Sequence, residues 1–219
     1  FVFAKIMWFR RERSDVFATT DKFLSPLEYV IVKLGCVPRI DYSLASTTMA
    51  FDSGKLDWSN EILECAGIEH SLLPLPVSSG SVIGTVAGNV ASELGLPSGV
   101  IIVAGGHDQQ VCALGAGLTR KGVGTNSLGT VDCIVLGLDG FNPTSSMLSN
   151  NYSLMLHVID NMYVTLAYNY CRGDLLKWYL QQFCSLDNRS VREVYQDLFE
   201  QMPREPGDIY VLPHFSGSG

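Results

Sequence analysis

The stretch Val100–Gly117, VIIVAGGHDQQVCALGAG, constrains this chain more than any other. A β-branched apolar run ends in Gly105 and Gly106, and His107 and Asp108 then lead into small apolar residues. An apolar run bounded by glycines predicts a buried strand. The small residues after it predict a helix that packs closely. Strand, glycine turn and helix in that order make an α/β unit, and such proteins place ligands outside the carboxyl ends of their strands. The free N–H groups of a helix start stabilise a carboxylate and keep it ionised. Spacing alone leaves Asp108 two readings. It caps the helix, or it is a carboxylate held at a cleft that takes a proton from a hydroxyl group.

The rest of the chain fits an α/β protein. Upstream segments read as helical, beginning with FVFAKIMWFRRER. LSPLEYVIVKLG carries a capping box, with Ser25 at N-cap, Pro26 at N1, Glu28 at N3 and Gly35 past the end. DYSLASTTMAFD, from Asp41, reads as helix or loop, DWSNEILECAG as a short helix ended by Gly67, and NVASELGLP as a helix stopped by Gly95 and Pro97. SLLPLPVSSGSVIG between them reads as an extended connection. Downstream, GVGTNSLGTVDCIVLGL predicts strand, turn and strand, and YSLMLHVID with MYVTLAYNY predicts a hairpin around Asp160 and Asn161. GDLLKWYLQQFC predicts an amphipathic helix with Leu175, Leu176, Tyr179, Leu180 and Phe183 on one side. SVREVYQDLFEQM predicts another helix, and DIYVLPHFSGSG a final strand entering a glycine loop. A domain boundary is expected near Leu118–Gly122, dividing the chain into 1–119 and 120–219.

Bulk properties exclude several classes. The formal net charge of −7 argues against nucleic-acid binding, which needs clustered Lys and Arg. The basic cluster at Lys5, Arg10, Arg11 and Arg13 is diluted by Glu12 and Asp15 and reads as a solvated helix face. No two of the six cysteines make a C-x-x-C pair, so zinc and redox-motif readings fail. Cys112, Cys133 and Cys171 lie in apolar stretches and read as small core residues. The cysteine pattern suits a reducing cytoplasm. No apolar run reaches the roughly 18 residues a spanning helix needs, and no signal peptide is legible. The chain starts on Phe1 within a helical pattern and ends on a glycine turn, which reads as a piece of a longer protein.

Two further segments could carry chemistry. In GVGTNSLGT, Gly122, Gly124 and Gly129 let backbone N–H groups crowd an anion, and Thr125, Ser127 and Thr130 add hydroxyls. It is not a Walker A loop, since no Lys follows in the required place, and it equally suits a plain glycine-rich hairpin. In CRGDLLKWY, Gly173 opens a helix and Lys177 lies one turn on, a pattern shared with ordinary helix starts. His107 reads as an orienting or structural residue, and His70, His157 and His214 as plain surface or core residues. Trp8, Trp58 and Trp178 read as core aromatics.

Taken together, GGHDQQVCALGAG followed by GTNSLGT resembles the FGGY family of carbohydrate kinases. The resemblance covers most of the chain. KIMWFRRERSDVFATTDKFLSPLEYVIVKLG is similar to the family's K…W…P…kfl…dyl…kLtG region. DYSLASTTMAFD with DWSNEILECAGI is similar to its D.S.AS.t.lfD…W…il region, and LLPLPVSSGSVIGTV and LPHFSGSG fit as well. Xylulokinases are the nearest likeness.

The resemblance implies an actin-like ATPase (ribonuclease H-like) α/β fold and parts of two domains around a cleft. Residues 1–119 would be the C-terminal part of the sugar-binding domain, and 120–219 the N-terminal part of the nucleotide-binding domain. Family members are about twice this length. The implied reaction moves the γ-phosphate of ATP, with Mg2+, onto a sugar hydroxyl of a ketose or polyol; no residue of this chain is assigned as a metal ligand. Asp108 matches the catalytic base and Gln109 a neighbour that contacts the sugar. Gly124 and Thr125 match the phosphate-binding hairpin. Gly173 and Lys177 match a helix start that touches nucleotide, where some relatives carry Gln at the lysine position. The family's N-terminal D.GT.s.r loop and its GGG..s..w adenosine loop do not occur in this chain. By itself the chain is therefore expected to lack kinase activity. Dimers are common in the family. Two other classes stay open: a binding module that takes a sugar or a partner without chemistry, and another actin-like ATPase, against which the GGHDQ cluster speaks.

Overall fold

The computed structural model describes residues 2–129, 132–184, 189–205, 207–212 and 215. It divides into two compact units. The first comprises Phe1–Thr125 and Val135–Leu166, and the second Asn126–Ile134 and Ala167–Gly219.

The first unit opens with helices α1 (Val2–Glu12), α2 (Ser14–Thr19) and α3 (Pro26–Lys33). Phe3 and Ile6, one turn apart on α1, bury their side chains in the core with Ile40, Ala45, Ala50, Trp58 and Leu63. This is the i, i+3 pattern of a helix with one apolar face. Helix α3 starts on the predicted capping box: Ser25 N–H donates to Glu28 Oε2 at 2.6 Å, and Leu27 N–H donates to Ser25 Oγ at 3.3 Å. Strand β1 (Arg39–Asp41) leads into the short helix α4 (Tyr42–Ala45), and β1 pairs in parallel with β4 (Leu75–Val77). Strands β2 (Phe51–Asp52) and β3 (Asp57–Trp58) form an antiparallel ribbon. Asp57 and Trp58 are thus strand, and helix α5 (Asn60–Ala66) starts only after Ser59, whose hydroxyl caps it. Gly67 closes α5 in the left-handed region at φ 62°, which a residue without Cβ adopts at no steric cost.

Strands β5 (Val82–Thr85) and β6 (Ile101–Val103) pair antiparallel, with helix α6 (Gly88–Glu93) between them in sequence. The apolar run of β6 is not the buried strand expected: Ile101 is 59% exposed and Val103 46%. Among the described residues β6 pairs only with β5, so this two-stranded ribbon leaves one apolar face open. Helix α7 (Asp108–Gly115) follows as predicted. Strands β7 (Gly124–Leu128), β8 (Asp132–Asp139), β9 (Met155–Leu156) and β10 (Met162–Asn169) form a four-stranded sheet in the order β7-β8-β10-β9, with helix α8 (Ser145–Ser149) between β8 and β9 in sequence. Strand β8 shows the period of two, with Cys133 and Val135 buried and Ile134 and Leu136 exposed. The β9–β10 hairpin turns at Asn161, which sits at φ 60°, as read from sequence.

The second unit carries helices α9 (Gly173–Phe183) and α10 (Val191–Gln201). Of the predicted α9 face only Leu180 is buried. Tyr179 and Phe183 lie at the surface, where Phe183 meets Trp178 edge-on and Tyr179 at a tilt. Trp178 and Trp8 are each 48% exposed and are not core residues, unlike Trp58 at 5%. Trp8 instead packs edge-on against Phe9. Cys133 is buried, but Cys112 faces outward from α7 and Cys171 is only half-buried. The segment 207–212 forms no strand, and Phe215 makes a single bridge. Thr130, His214 and the glycines of the closing loop lie outside the described residues. Among the described residues no helix is long and apolar enough to cross a membrane.

Candidate active site

Asp108 is the first residue of α7, and its N-cap is His107 rather than Asp108 itself. His107 Nδ1 accepts the Gln109 N–H at 3.3 Å. The Asp108 carboxylate reaches the same amide, Oδ1 accepting at 2.7 Å, and lies 3.1 Å from His107 Nδ1. One nitrogen cannot accept from Gln109 and donate to Asp108 at once. With its proton on Nε2, His107 caps the helix; with both nitrogens protonated, it donates to Asp108. Either way His107 stands at the helix start within hydrogen-bonding reach of both the Gln109 amide and the Asp108 carboxylate.

The Asp108 side chain is 81% exposed, against 25% for His107. Oδ2 makes no hydrogen bond among the described residues. The first turn of α7 supplies N–H dipoles that favour the negative charge. Gln109 is half-buried beside it. Gln110 is fully buried, and neither atom of its amide has a partner among the described residues.

Two elements hold the loop ahead of Asp108. Ser43, at the start of α4, accepts the His107 N–H at 2.8 Å. Its own hydroxyl donates to Asp41 Oδ1, which also accepts the Leu44 N–H at 3.1 Å and so caps α4. The turn of the β9–β10 hairpin lies against the same loop. A Cβ on Gly106 would run into Val158 Cγ1 and stand 3.1 Å from Val111 Cγ2 and 3.2 Å from Ser43 Oγ. Ser78 Oγ donates to Asp160 in that turn. His157 is buried there, with Nδ1 accepting the Val158 N–H at 2.6 Å and Nε2 3.0 Å from the Leu118 carbonyl. Accepting at Nδ1 puts the proton on Nε2, so Nε2 donates to Leu118. Burial pushes the His157 pKa below its ordinary value. Sequence reasoning missed Asp41, Ser43 and Val158 as neighbours of this loop. The D-x-S spacing at a helix start was the available signal for the first two.

The other predicted site residues lie elsewhere. Gly124 is exposed and Thr125 half-buried, both within strand β7. The glycines around them are not all open to an anion, since Gly122 N–H donates to the Gly137 carbonyl at 3.0 Å. Among the described residues no hydrogen bond or ion pair joins Asp108 or Gln109 to Gly124 or Thr125. Gly173 and Lys177 belong to the second unit. There Gly173 opens α9 and its N–H donates to the Gly129 carbonyl at 3.3 Å. Lys177 is exposed and makes no ion pair among the described residues. Arg172, directly before Gly173 in sequence, pairs with Asp132 at 3.0 Å. No group of three His, Cys, Asp or Glu that could hold a metal occurs among the described residues.

Comparison with known proteins bears on this arrangement. Residues 1–115 match the N-terminal domain of the FGGY family of carbohydrate kinases. A xylulose kinase from Staphylococcus epidermidis is 29% identical over 194 residues, which is 89% of this chain and 38% of that protein. An autoinducer-2 kinase from Enterobacter sp. is 28% identical over 217 residues, covering 97% of this chain and 40% of its own. Among solved structures, a xylulose kinase from Brucella ovis superposes with a TM-score of 0.84 at 24% identity, covering 99% of this chain and 43% of that one. Glycerol kinase from Plasmodium falciparum, solved with ADP, gives 0.75 at 17% identity, covering 90% of this chain and 39% of that one. The fold is the actin-like ATPase (ribonuclease H-like) α/β fold of these neighbours, present in part. The chain spans about two fifths of the length of the relatives it matches.

Proposed function

The chain belongs to the FGGY family of carbohydrate kinases, and on that premise we propose that it forms the central part of an ATP-dependent kinase of a ketose or polyol, with Asp108 as general base. The observation that carries this reading is the exposed Asp108 carboxylate on the first turn of α7, with one oxygen tied to Gln109 N–H and the other unpartnered. A base needs an acceptor oxygen within reach of the proton it takes. Here Oδ2 takes the proton of a sugar hydroxyl as that oxygen attacks the γ-phosphorus of MgATP. The bond from that phosphorus to the β,γ-bridging oxygen breaks, giving ADP and a sugar phosphate. Phosphoryl transfer is chiefly positioning plus electrostatic stabilisation, so the chain's own contribution is to place one carboxylate and one sugar hydroxyl.

Gln109 contacts the sugar beside Asp108. Residues 1–119 end the sugar-binding domain, and 120–219 begin the nucleotide-binding domain. In the latter, Gly124 and Thr125 border the phosphates, and Gly173 and Lys177 the nucleotide. The xylulose and autoinducer-2 kinases among the relatives support a small polyhydroxylated substrate. The protein works in the cytoplasm. The 219 residues alone have no kinase activity, because they hold neither family loop for the phosphates and adenosine. The test is ATP consumption by the full-length gene product against ketoses, polyols and sugar acids, with Asp108→Asn alongside. One sugar should drive turnover, and the Asn variant should lose nearly all of it while still binding that sugar. Normal turnover by Asp108→Asn would reduce Asp108 to a helix-start residue.

A further inference from the structure

We propose that Asp41 and Ser43 are positioning residues for the catalytic loop: through Ser43 they hold the His107 amide and so fix where Asp108 points. This rests on the reading of Asp108 as the base. Ser43 is 0% exposed and Asp41 2%. A serine hydroxyl has one proton and two lone pairs. The Ser43 proton is committed to Asp41 Oδ1, so its oxygen can only accept toward the loop, and the His107 N–H meets it at 2.8 Å. Asp41 is itself fixed. It ends strand β1, paired with Val77 of β4, and it caps α4 through the Leu44 N–H. The chain of contacts therefore runs from a parallel strand pair, through a carboxylate and a hydroxyl, to the backbone directly before Asp108. Ser43 and His107 stand 64 positions apart in sequence, so neither element's own secondary structure requires this contact.

The cap of α4 does not need the Ser43 hydroxyl, because Asp41 alone accepts from Leu44. What needs it is the loop. Asp108 projects into solvent with only Gln109 N–H and His107 as local tethers, so its direction follows its backbone. Gly106 sits directly on Ser43, with its ideal Cβ position 3.2 Å from Oγ, so the loop is seated on the residue that binds it. Reactions that depend on placement are sensitive to small shifts, a displacement of about 1 Å being enough to lose about 100-fold.

The test uses Ser43→Ala and Ser43→Cys, with Ser46→Ala as control. Ser46 Oγ donates to the Ser43 carbonyl at 2.7 Å and so supports α4 without touching the loop. Amide exchange is followed across residues 104–111, and kcat and KM are measured in the full-length gene product. Ser43→Ala should speed exchange at His107 and Gln109 and lower kcat about 10- to 100-fold, with the KM for sugar changed far less. Ser43→Cys should fall between Ala and Ser, since sulfur is a weaker acceptor, and it carries the test if the Ala variant does not fold. Ser46→Ala should leave both readouts near wild type. Unchanged exchange at 104–111, or a kcat loss no greater than that of Ser46→Ala, overturns the proposal. Activity retained by Asp108→Asn would instead sink the reading of the base, and the exchange data would still report whether Ser43 holds the loop.

Discussion

Gly105 and Gly106 are neighbours of one residue type, yet the structure assigns their alanine variants opposite effects. A Cβ at Gly105 meets nothing within 4 Å, and its φ lies outside the left-handed region. Gly105→Ala removes unfolded-state freedom without a clash and should stabilise by about 0.4–1 kcal/mol. A Cβ at Gly106 runs into the Val158 side chain and crowds Val111 and Ser43. Overpacking of this kind costs about 1–3 kcal/mol. At a urea m-value of about 2 kcal/mol/M, a loss of 2 kcal/mol lowers the midpoint by about 1 M. The measurement is urea unfolding of the first unit, read by the buried Trp58 with Trp8 and Trp178 changed to Phe in every variant. The clash predicts its own remedy. Val158→Ala removes Cγ1, so the double variant should recover part of the loss, with a coupling of at least about 0.5 kcal/mol. Equal destabilisation by both glycine variants, or additivity of Gly106→Ala with Val158→Ala, would refute the packing argument.

Three further predictions concern buried polar groups. Burial holds His157 below its ordinary pKa of 6.5, so as pH falls below that value the unfolded chain takes a proton that the native one resists. Stability should drop on acidification, by at most about 1.4 kcal/mol per pH unit for one proton, and the slope should shrink in His157→Gln; an identical slope in the variant counts against it. Glu28 has the opposite sign: burial raises its carboxyl pKa above 4.5, so stability present in acid is lost as pH rises through the raised value. Glu28→Gln, which still offers an oxygen to Ser25 N–H, should be more stable than wild type at pH 7 but not at pH 4, as chemical denaturation at the two pH values would show. Gln110→Met replaces a buried, unpartnered amide by an apolar chain of similar shape and should raise stability by about 1 kcal/mol; a loss of that size in a thermal melt would mean the amide has a partner.

What was legible in the sequence was local. The box at Ser25, Pro26 and Glu28 and the left-handed Gly67 close within four residues, so composition and spacing specify them. The start of α7 was legible to within one residue. The shift from Asp108 to His107 as cap came from a ring nitrogen doing the work usually done by a short side-chain oxygen. Exposure was not legible in this way. The run VIIVAGG reads as buried because it is apolar, but burial depends on what pairs with β6 and covers it, and among the described residues that is β5 alone. The same holds for Trp8, which packs edge-on against the half-buried Phe9, and for Trp178, which packs against the exposed Phe183.

The site itself shows why its support was harder to see than its chemistry. Asp108 announces itself by standing between a glycine turn and a helix, a short-range pattern. Asp41 and Ser43 sit in a D-x-S stretch that by spacing alone says only that α4 begins there. Both statements are true of Asp41, which caps α4 and orients Ser43 with the same oxygen. A residue that satisfies a local rule gives the reader of a sequence no reason to look for a second task. The second task becomes visible only through the geometry of its partner: a serine too deeply buried to be solvated, its proton already given to a carboxylate, has its remaining acceptor free for a distant backbone amide. That reasoning makes Ser43, rather than the more conspicuous His107, the residue whose loss should loosen the loop without removing any group that touches substrate.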